Sequence, residues 1–274
     1  MSDAKVKVIR PKASRFELGL GEMWEYRELL YFLVWRQIKT KYKQTAIGFF
    51  WAILQPLLAM VVFTVTFTSL TDIPTEGIPY PAFVLATLIL WTFFSTTMSS
   101  GSLSIVANAN MISKIYFPRL MLPLSLVIAG LLDYAIGFCT LIVLMLVLGV
   151  PFTAWMTLMF IPLVMAIVLS AGISFWLSAL SAKYRDVQYI IPFFVTLLLF
   201  VSPIFYSWNN AATWKWLLAW NPLAGIMSIQ RFTAFGHPAL DLVPVTISVI
   251  LCVVLFFGGL LYFKHYERQI ADVI

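Results

Sequence analysis

Charge is scarce in this chain. Asp, Glu, Lys and Arg make up 11% of its 274 residues, against roughly 25% in soluble domains. Histidine and cysteine are scarcer still, with two of each. His237 and His265 stand alone, with no second His at helical spacing, so no hydrolytic metal motif is present. No Gly is followed by Lys and no G-x-S-x-G occurs, which excludes a phosphate-cradling P-loop and a serine nucleophile elbow. The chain is therefore expected to be no enzyme, with no catalytic residues, no metal site and no cofactor of its own. Cys139 and Cys252 each lie inside an apolar run, where buried free thiols are expected rather than a disulfide.

Apolar residues fill the space that charge leaves: 61% of the chain is hydrophobic and the mean hydropathy is +0.92. The apolar runs are continuous rather than alternating, so helices, not a barrel, satisfy the backbone in lipid. The expected fold is an all-α polytopic membrane protein. Six spans are expected near Ile47–Leu70, Pro81–Leu103, Leu120–Gly149, Trp155–Leu180, Val187–Tyr206 and Leu242–Phe263. Lys and Arg crowd the N-terminal arm and recur as Lys114 and Arg119, Lys183 and Arg185, and Lys264 and Arg268, all on one side of those spans. The opposite loops carry Asp72 and Glu76 and, before the last span, Lys215 and Arg231. The net charge of +6 is thus a topology signal rather than a nucleic-acid signal, and both termini are expected in the cytoplasm. The first residues are polar and basic, so no cleavable signal peptide is expected.

Residues 1–44 divide from the transmembrane part, 45–274, by composition. Within the first part, Leu29–Trp35 is apolar but far too short to span a core of roughly 30 Å. Glu22, Glu25 and Glu28 precede it, and Arg36, Lys39, Lys41 and Lys43 follow it, which suits the helix dipole. With Trp24 and Trp35, Glu22–Lys43 reads as an amphipathic helix in the cytoplasmic interface, in contact with membrane lipids.

Two loops invite function. The first, residues 105–120, overlaps the stretch Asn108–Pro123 between two spans; Asn110 is a candidate cap for a helix from Met111 to Phe117, which Pro118 ends. It suits docking to a partner through Met111, Ile112, Lys114, Tyr116, Phe117 and Arg119. The second, residues 207–240, is outward-facing yet apolar. Asn221 as N-cap, Pro222 at the first helical position and Gly236 with Pro238 at the end define a helix of about 14 residues, or roughly 21 Å. With Trp214, Trp216 and Trp220 before it, this reads as short re-entrant helices, or as a hairpin lying on the surface.

Asp133 is a lone carboxylate in the third span, which either couples protons or substrate or is bonded to a neighbouring Ser, Thr or Tyr. On the first span, Trp51, Gln55, Val62, Thr66 and Ser69 share one face, with Phe63 and Phe67 beside it. Amide, hydroxyl and aromatic groups together suit sugar rings, whose CH faces lie on aromatic planes, although helix packing explains such residues as well. The fifth span adds Phe193, Phe194, Phe200, Phe205 and Tyr206, with Pro192 and Pro203 expected to bend it. Ser99–Ser104 and Ser170, Gly172 and Ser174 read as small-residue helix contacts.

Four blocks in this order resemble one family: Arg36–Gln55, Asn108–Pro123, Tyr184-Arg185-Asp186-Val187 with Ser202-Pro203, and Asn221-Pro222. The chain is similar to the membrane subunit of type 2 ABC exporters for lipid-linked polysaccharide, the O-antigen, capsule and teichoic acid permeases. The resemblance implies a homodimer in the bacterial cytoplasmic membrane, with two separate nucleotide-binding subunits carrying ATP and Mg. It implies an interface helix at Glu22–Lys43, a coupling helix at Met111–Phe117 and a cytoplasmic loop at Tyr184, Arg185 and Asp186. It also implies outer gate helices within Trp214–Phe235, including Trp220, Asn221, Pro222 and Arg231, and an aromatic channel to which Trp51, Gln55, Phe63, Thr66, Phe67, Phe200 and Tyr206 contribute. A drug or small-lipid efflux permease is the alternative on the same architecture; a membrane-embedded transferase would need clustered carboxylates or His that the chain lacks.

Overall fold

The computed structural model describes residues 20–43, 48, 50–70, 75, 77–206, 215–237 and 240–273, and every regular element among them is a helix. The elements are α1 (Leu20–Glu25), α2 (Arg27–Lys43), α3 (Phe50–Leu70), α4 (Tyr80–Ser102), α5 (Ser104–Ala107), α6 (Ala109–Ile112) and α7 (Met121–Leu148). They continue as α8 (Phe160–Lys183), α9 (Asp186–Val201), α10 (Lys215–Ala219), α11 (Pro222–Phe235) and α12 (Leu242–Val273). The N-terminal arm, Asp72, Glu76, Trp214 and Pro238 lie outside the described residues.

Five helices are long and apolar enough to cross a membrane: α3, α4, α7, α8 with the 3-10 turn Ala154–Leu158 before it, and α12. The fifth expected span is shorter. α9 has 16 residues, about 24 Å at 1.5 Å per residue. It stops at Val201 because the ring of Pro203 drives the residue before it out of helical space, and Ser202 accordingly sits at ψ 142°. Pro203 therefore ends the helix rather than bending it, while Pro192 lies inside α9. The fourth span, expected at Trp155–Leu180, runs from Ala154 to Lys183, with its first turn 3-10 and the α-helix proper starting at Phe160. α1 and α2 meet at Tyr26, whose amide bonds the Glu22 carbonyl and whose carbonyl takes the Leu30 amide, each at 3.1 Å, so the helical bonding runs through the junction.

α4 is the centre of the bundle: 17 of its 23 residues are buried, against α7 on one side and α8 on another. Small residues set the close approaches, as expected from the sequence. A Cβ built on Gly101 would strike the Ser174 side chain, and one on Gly172 would lie 2.6 Å from Phe256 Cα on α12. α3, by contrast, leaves Phe50, Trp51, Leu58, Val61, Val62 and Val65 exposed.

α11 follows its local code. Asn221 Oδ1 accepts from the Leu223 amide at 3.0 Å, Pro222 takes the first helical position, and Gly236 closes the helix at φ +81°. Asn221 Nδ2 also donates to Ser202 Oγ at 2.9 Å, tying α11 to the end of α9. Asn221→Ala removes both bonds and is expected to cost about 1–2 kcal/mol. Thermal unfolding of the purified chain in detergent checks this; an unshifted midpoint would show that neither bond matters.

Candidate coupling and passage sites

The connection between α4 and α7 differs from the expected helix Met111–Phe117. The regular turn is α6, four residues long and starting at Ala109, followed by turns to Ile115. Asn110 lies inside it and caps nothing. Asn108 holds the N-cap position, but its amide donates to the Ser104 carbonyl at 2.7 Å and its Oδ1 accepts from Arg36 Nη2 at 2.6 Å. Tyr116 and Phe117 face opposite ways: Phe117 is 4% exposed and packs in the core, whereas Tyr116 is 74% exposed. Lys114 and Ile115 point outward with Tyr116, and Met111 and Ile112 are half-buried against the core.

Three other helices grip this loop. The Tyr116 hydroxyl donates to Glu22 of α1 at 2.9 Å, and Arg36 of α2 holds Asn108. Arg119 donates its guanidinium to the Glu267 carbonyl and its amide to the Glu267 carboxylate on α12, which Lys264 also pairs at 2.8 Å. A displacement of the loop therefore pulls on α1, α2 and α12 together.

The far end of α2 is fastened too. Asp133 accepts from the Tyr42 hydroxyl and pairs with Lys41 Nζ at 2.6 Å. The tyrosine partner agrees with one of the two expectations for this carboxylate; the lysine was not foreseen. Burial first, then the bond and the charge of Asp133, push the Tyr42 hydroxyl well above its ordinary pKa, so it remains a donor at physiological pH. Lys41, Tyr42 and Asp133 line a cleft of about 80 Å³ together with Trp51, Gln55, Thr92 and Thr96. The cleft brings the amide and indole of the α3 stripe against hydroxyls of α4.

Along α3, Trp51, Gln55, Val62, Thr66 and Ser69 are all exposed, as one face. Phe63 and Phe67 are turned from it toward Phe205, whose ring lies 3.9 Å and 5.5 Å from theirs between centroids. Phe193, Phe194 and Phe200 of α9 are exposed, while Tyr206 is half-buried. Trp220 is exposed beside the buried Asn221. Arg231, expected in an outward loop, is 2% exposed. Tyr184, Arg185 and Asp186 are exposed between α8 and α9, with Asp186 favourably placed in the first turn of α9.

Sequence reasoning passed over Lys41 and Tyr42 as partners, and Tyr80 and Thr87, which reach Phe205 and Ile204 carbonyls at 3.1 Å each. A signal existed for the first pair only: a carboxylate in an apolar helix requires a donor. Among the described residues no group of three His, Cys, Asp or Glu could hold a metal.

Taken together, the apolar helices and their arrangement define a multi-pass helical membrane protein with an inward-folded core and an unpartnered face on α3 and α9. Residues 28–235 match the ABC-2 type transporter family, and the chain belongs to it. It is a permease of a type 2 ABC exporter, a family whose members work with an ABC ATPase. It is 29% identical to the O-antigen export system permease protein RfbA of Myxococcus xanthus, over 92% of this chain and 98% of that one. A Klebsiella pneumoniae protein of the same name is 25% identical over 95% and 99%. The polysialic acid transport protein KpsM of Escherichia coli is 26% identical over 86% and 93%.

Proposed function

We propose that this chain is the channel-forming subunit of an ATP-driven exporter that carries a lipid-linked polysaccharide, O-antigen in the first place, from the cytoplasmic to the outer side of the membrane. Two copies pair, and two separate ATPase subunits bind ATP with Mg and supply the power. The observation that carries this reading is the stripe of exposed residues along α3, Trp51, Gln55 and Thr66, together with the exposed Phe200 on α9. A glycan cannot cross hydrocarbon unaided, because each hydroxyl would lose its hydrogen bonds. A second copy facing this surface completes a wall of amides, hydroxyls and rings that a glycan can slide along. The relatives named for O-antigen and polysialic acid point the same way.

Lys114, Ile115 and Tyr116 present the outward knob of the coupling loop to the ATPase. Its grips on Glu22, Arg36 and Glu267 pass the ATPase's motion to α1, α2 and α12. Tyr116→Ala in the reconstituted complex is expected to leave ATP hydrolysis running and lower glycan export about tenfold, the loss of one well-packed interface residue. Export at the parent rate would reject the docking role.

A further inference from the structure

Beyond α9 the described residues Ser202–Tyr206 turn a non-helical corner that presents the carbonyls of Ile204, Phe205 and Tyr206 in succession. Buried acceptors of this kind must be met by something. Each is met by a side chain from another helix. The Tyr80 hydroxyl donates to the Phe205 carbonyl at 3.1 Å. Arg231 spans the other two, Nη2 to Ile204 at 2.7 Å and Nη1 to Tyr206 at 2.9 Å. Thr87 Oγ1 also lies 3.1 Å from the Ile204 oxygen, and the guanidinium carbon lies 3.7 Å from the centre of the Phe83 ring.

This is an expensive way to hold a corner. Arg231 is buried, and no carboxylate among the described residues pairs with it. A buried cation without a counter-charge is strongly disfavoured unless its hydrogen bonds compensate, and an apolar side chain would pack the same volume more safely. A guanidinium offers what neither Leu nor Lys can: a rigid fork that holds two separated oxygens at once. The corner it holds carries Phe205, the ring that covers Phe63 and Phe67 on α3. Asn221, at the start of the helix that bears Arg231, grips Ser202 at the other end of the same corner. The site lies at the Tyr80 end of α4, about 35 Å from the end that leads into the coupling loop.

We propose that Arg231 is a gate latch: through the Ile204 and Tyr206 carbonyls it locks the corner after α9 to α11, so that Phe205 covers Phe63 and Phe67 of α3 until α11 shifts. Arg231 is a positioning residue and touches no substrate. The inference rests on the exporter reading for what passes the gate, but not for the latch itself.

The test uses the full chain with its ATPase partner in membranes, with Cys139→Ala to remove the exposed thiol and Ile204→Cys as a buried reporter that leaves Phe205 in place. A water-soluble maleimide is the probe. Arg231→Lys and Arg231→Met are each expected to raise labelling at position 204 about tenfold, the loss of charge-assisted bonds. Native Cys252, buried on α12, should stay as slow as before. An unchanged rate at 204, or an equal rise at Cys252, overturns the latch, the second because Arg231 would then merely hold the fold. Should the Arg231 variants fail to accumulate, Tyr80→Phe removes one bond to the corner and is read by the same two thiols. A parent complex that moves no glycan, with the labelling pattern intact, would instead sink the exporter reading alone.

Discussion

Gly172→Leu is expected to separate α8 from α12 and to prevent the bundle from closing. A Cβ at this position lies 2.6 Å from Phe256 Cα and 2.7 Å from Phe256 N, backbone atoms that cannot swing aside. The approach is mutual, because a Cβ on Gly259 would strike the Gly172 carbonyl. Ordinary contact begins near 3.4 Å, so even alanine must push the helices apart by several tenths of an ångström. Overpacking of this kind costs about 1–3 kcal/mol, and leucine adds three more carbons to the clash. In lipid the loss is hard to recover, since helices there associate through close van der Waals contact rather than through the hydrophobic effect. Denaturation in detergent should therefore rank Gly172→Leu well below Gly172→Ala, and both below Gly21→Ala, where nothing lies within 4 Å. Equal midpoints for the three variants would refute the close-packed seam.

The second large effect is expected at Asp133. Asp133→Leu removes the acceptor shared by Lys41 and Tyr42 and frees the end of α2 from α7. The ion pair contributes little of this. Lys41 is about half exposed, and a screened pair of that kind is worth roughly 0–1 kcal/mol. The larger part comes from the Tyr42 hydroxyl, whose loss of a bonded partner in a partly buried site costs about 1–3 kcal/mol. Asp133→Asn keeps an acceptor for Tyr42 and loses only the charge, so it should fall between parent and leucine. Limited proteolysis after Lys41 and Lys43, run on all three proteins, checks the order. If Asp133→Leu is cut no faster than the parent, α2 is held by its apolar face and not by this cluster. A Lys41→Met with Asp133→Leu double-mutant cycle then measures how much of the coupling belongs to the charge.

The two effects differ in how visible they are beforehand. Gly172 lies between Ser170 and Ser174, and small residues at such spacing mark helix contacts in membranes whatever the fold. α11 was legible to the residue for the same reason. Asn221, Pro222 and Gly236 act within one turn of themselves, so the chain carries the whole instruction locally. The connection between α4 and α7 was legible in place but not in shape. Asn110 has the chemistry of a cap, yet helix α6 starts before it, because Asn108 is engaged by Ser104 and by Arg36, 72 residues away. Tyr116 and Phe117 look like one aromatic pair in the sequence, and one is exposed while the other is core.

Composition and continuous apolar runs alone determined that this is a helical membrane protein, since lipid offers the backbone no other way to satisfy its polar groups. They determined too where the polar punctuation falls. Only the tertiary structure decided which partners meet the two lone charges: Lys41 and Tyr42 for Asp133, more than 90 residues away, and the carbonyls of Ile204 and Tyr206 for Arg231. Periodicity reports which face of a helix is apolar. It carries no information about which distant helix that face meets, and a buried charge is hydrogen-bonded by whatever the packing brings within 3 Å.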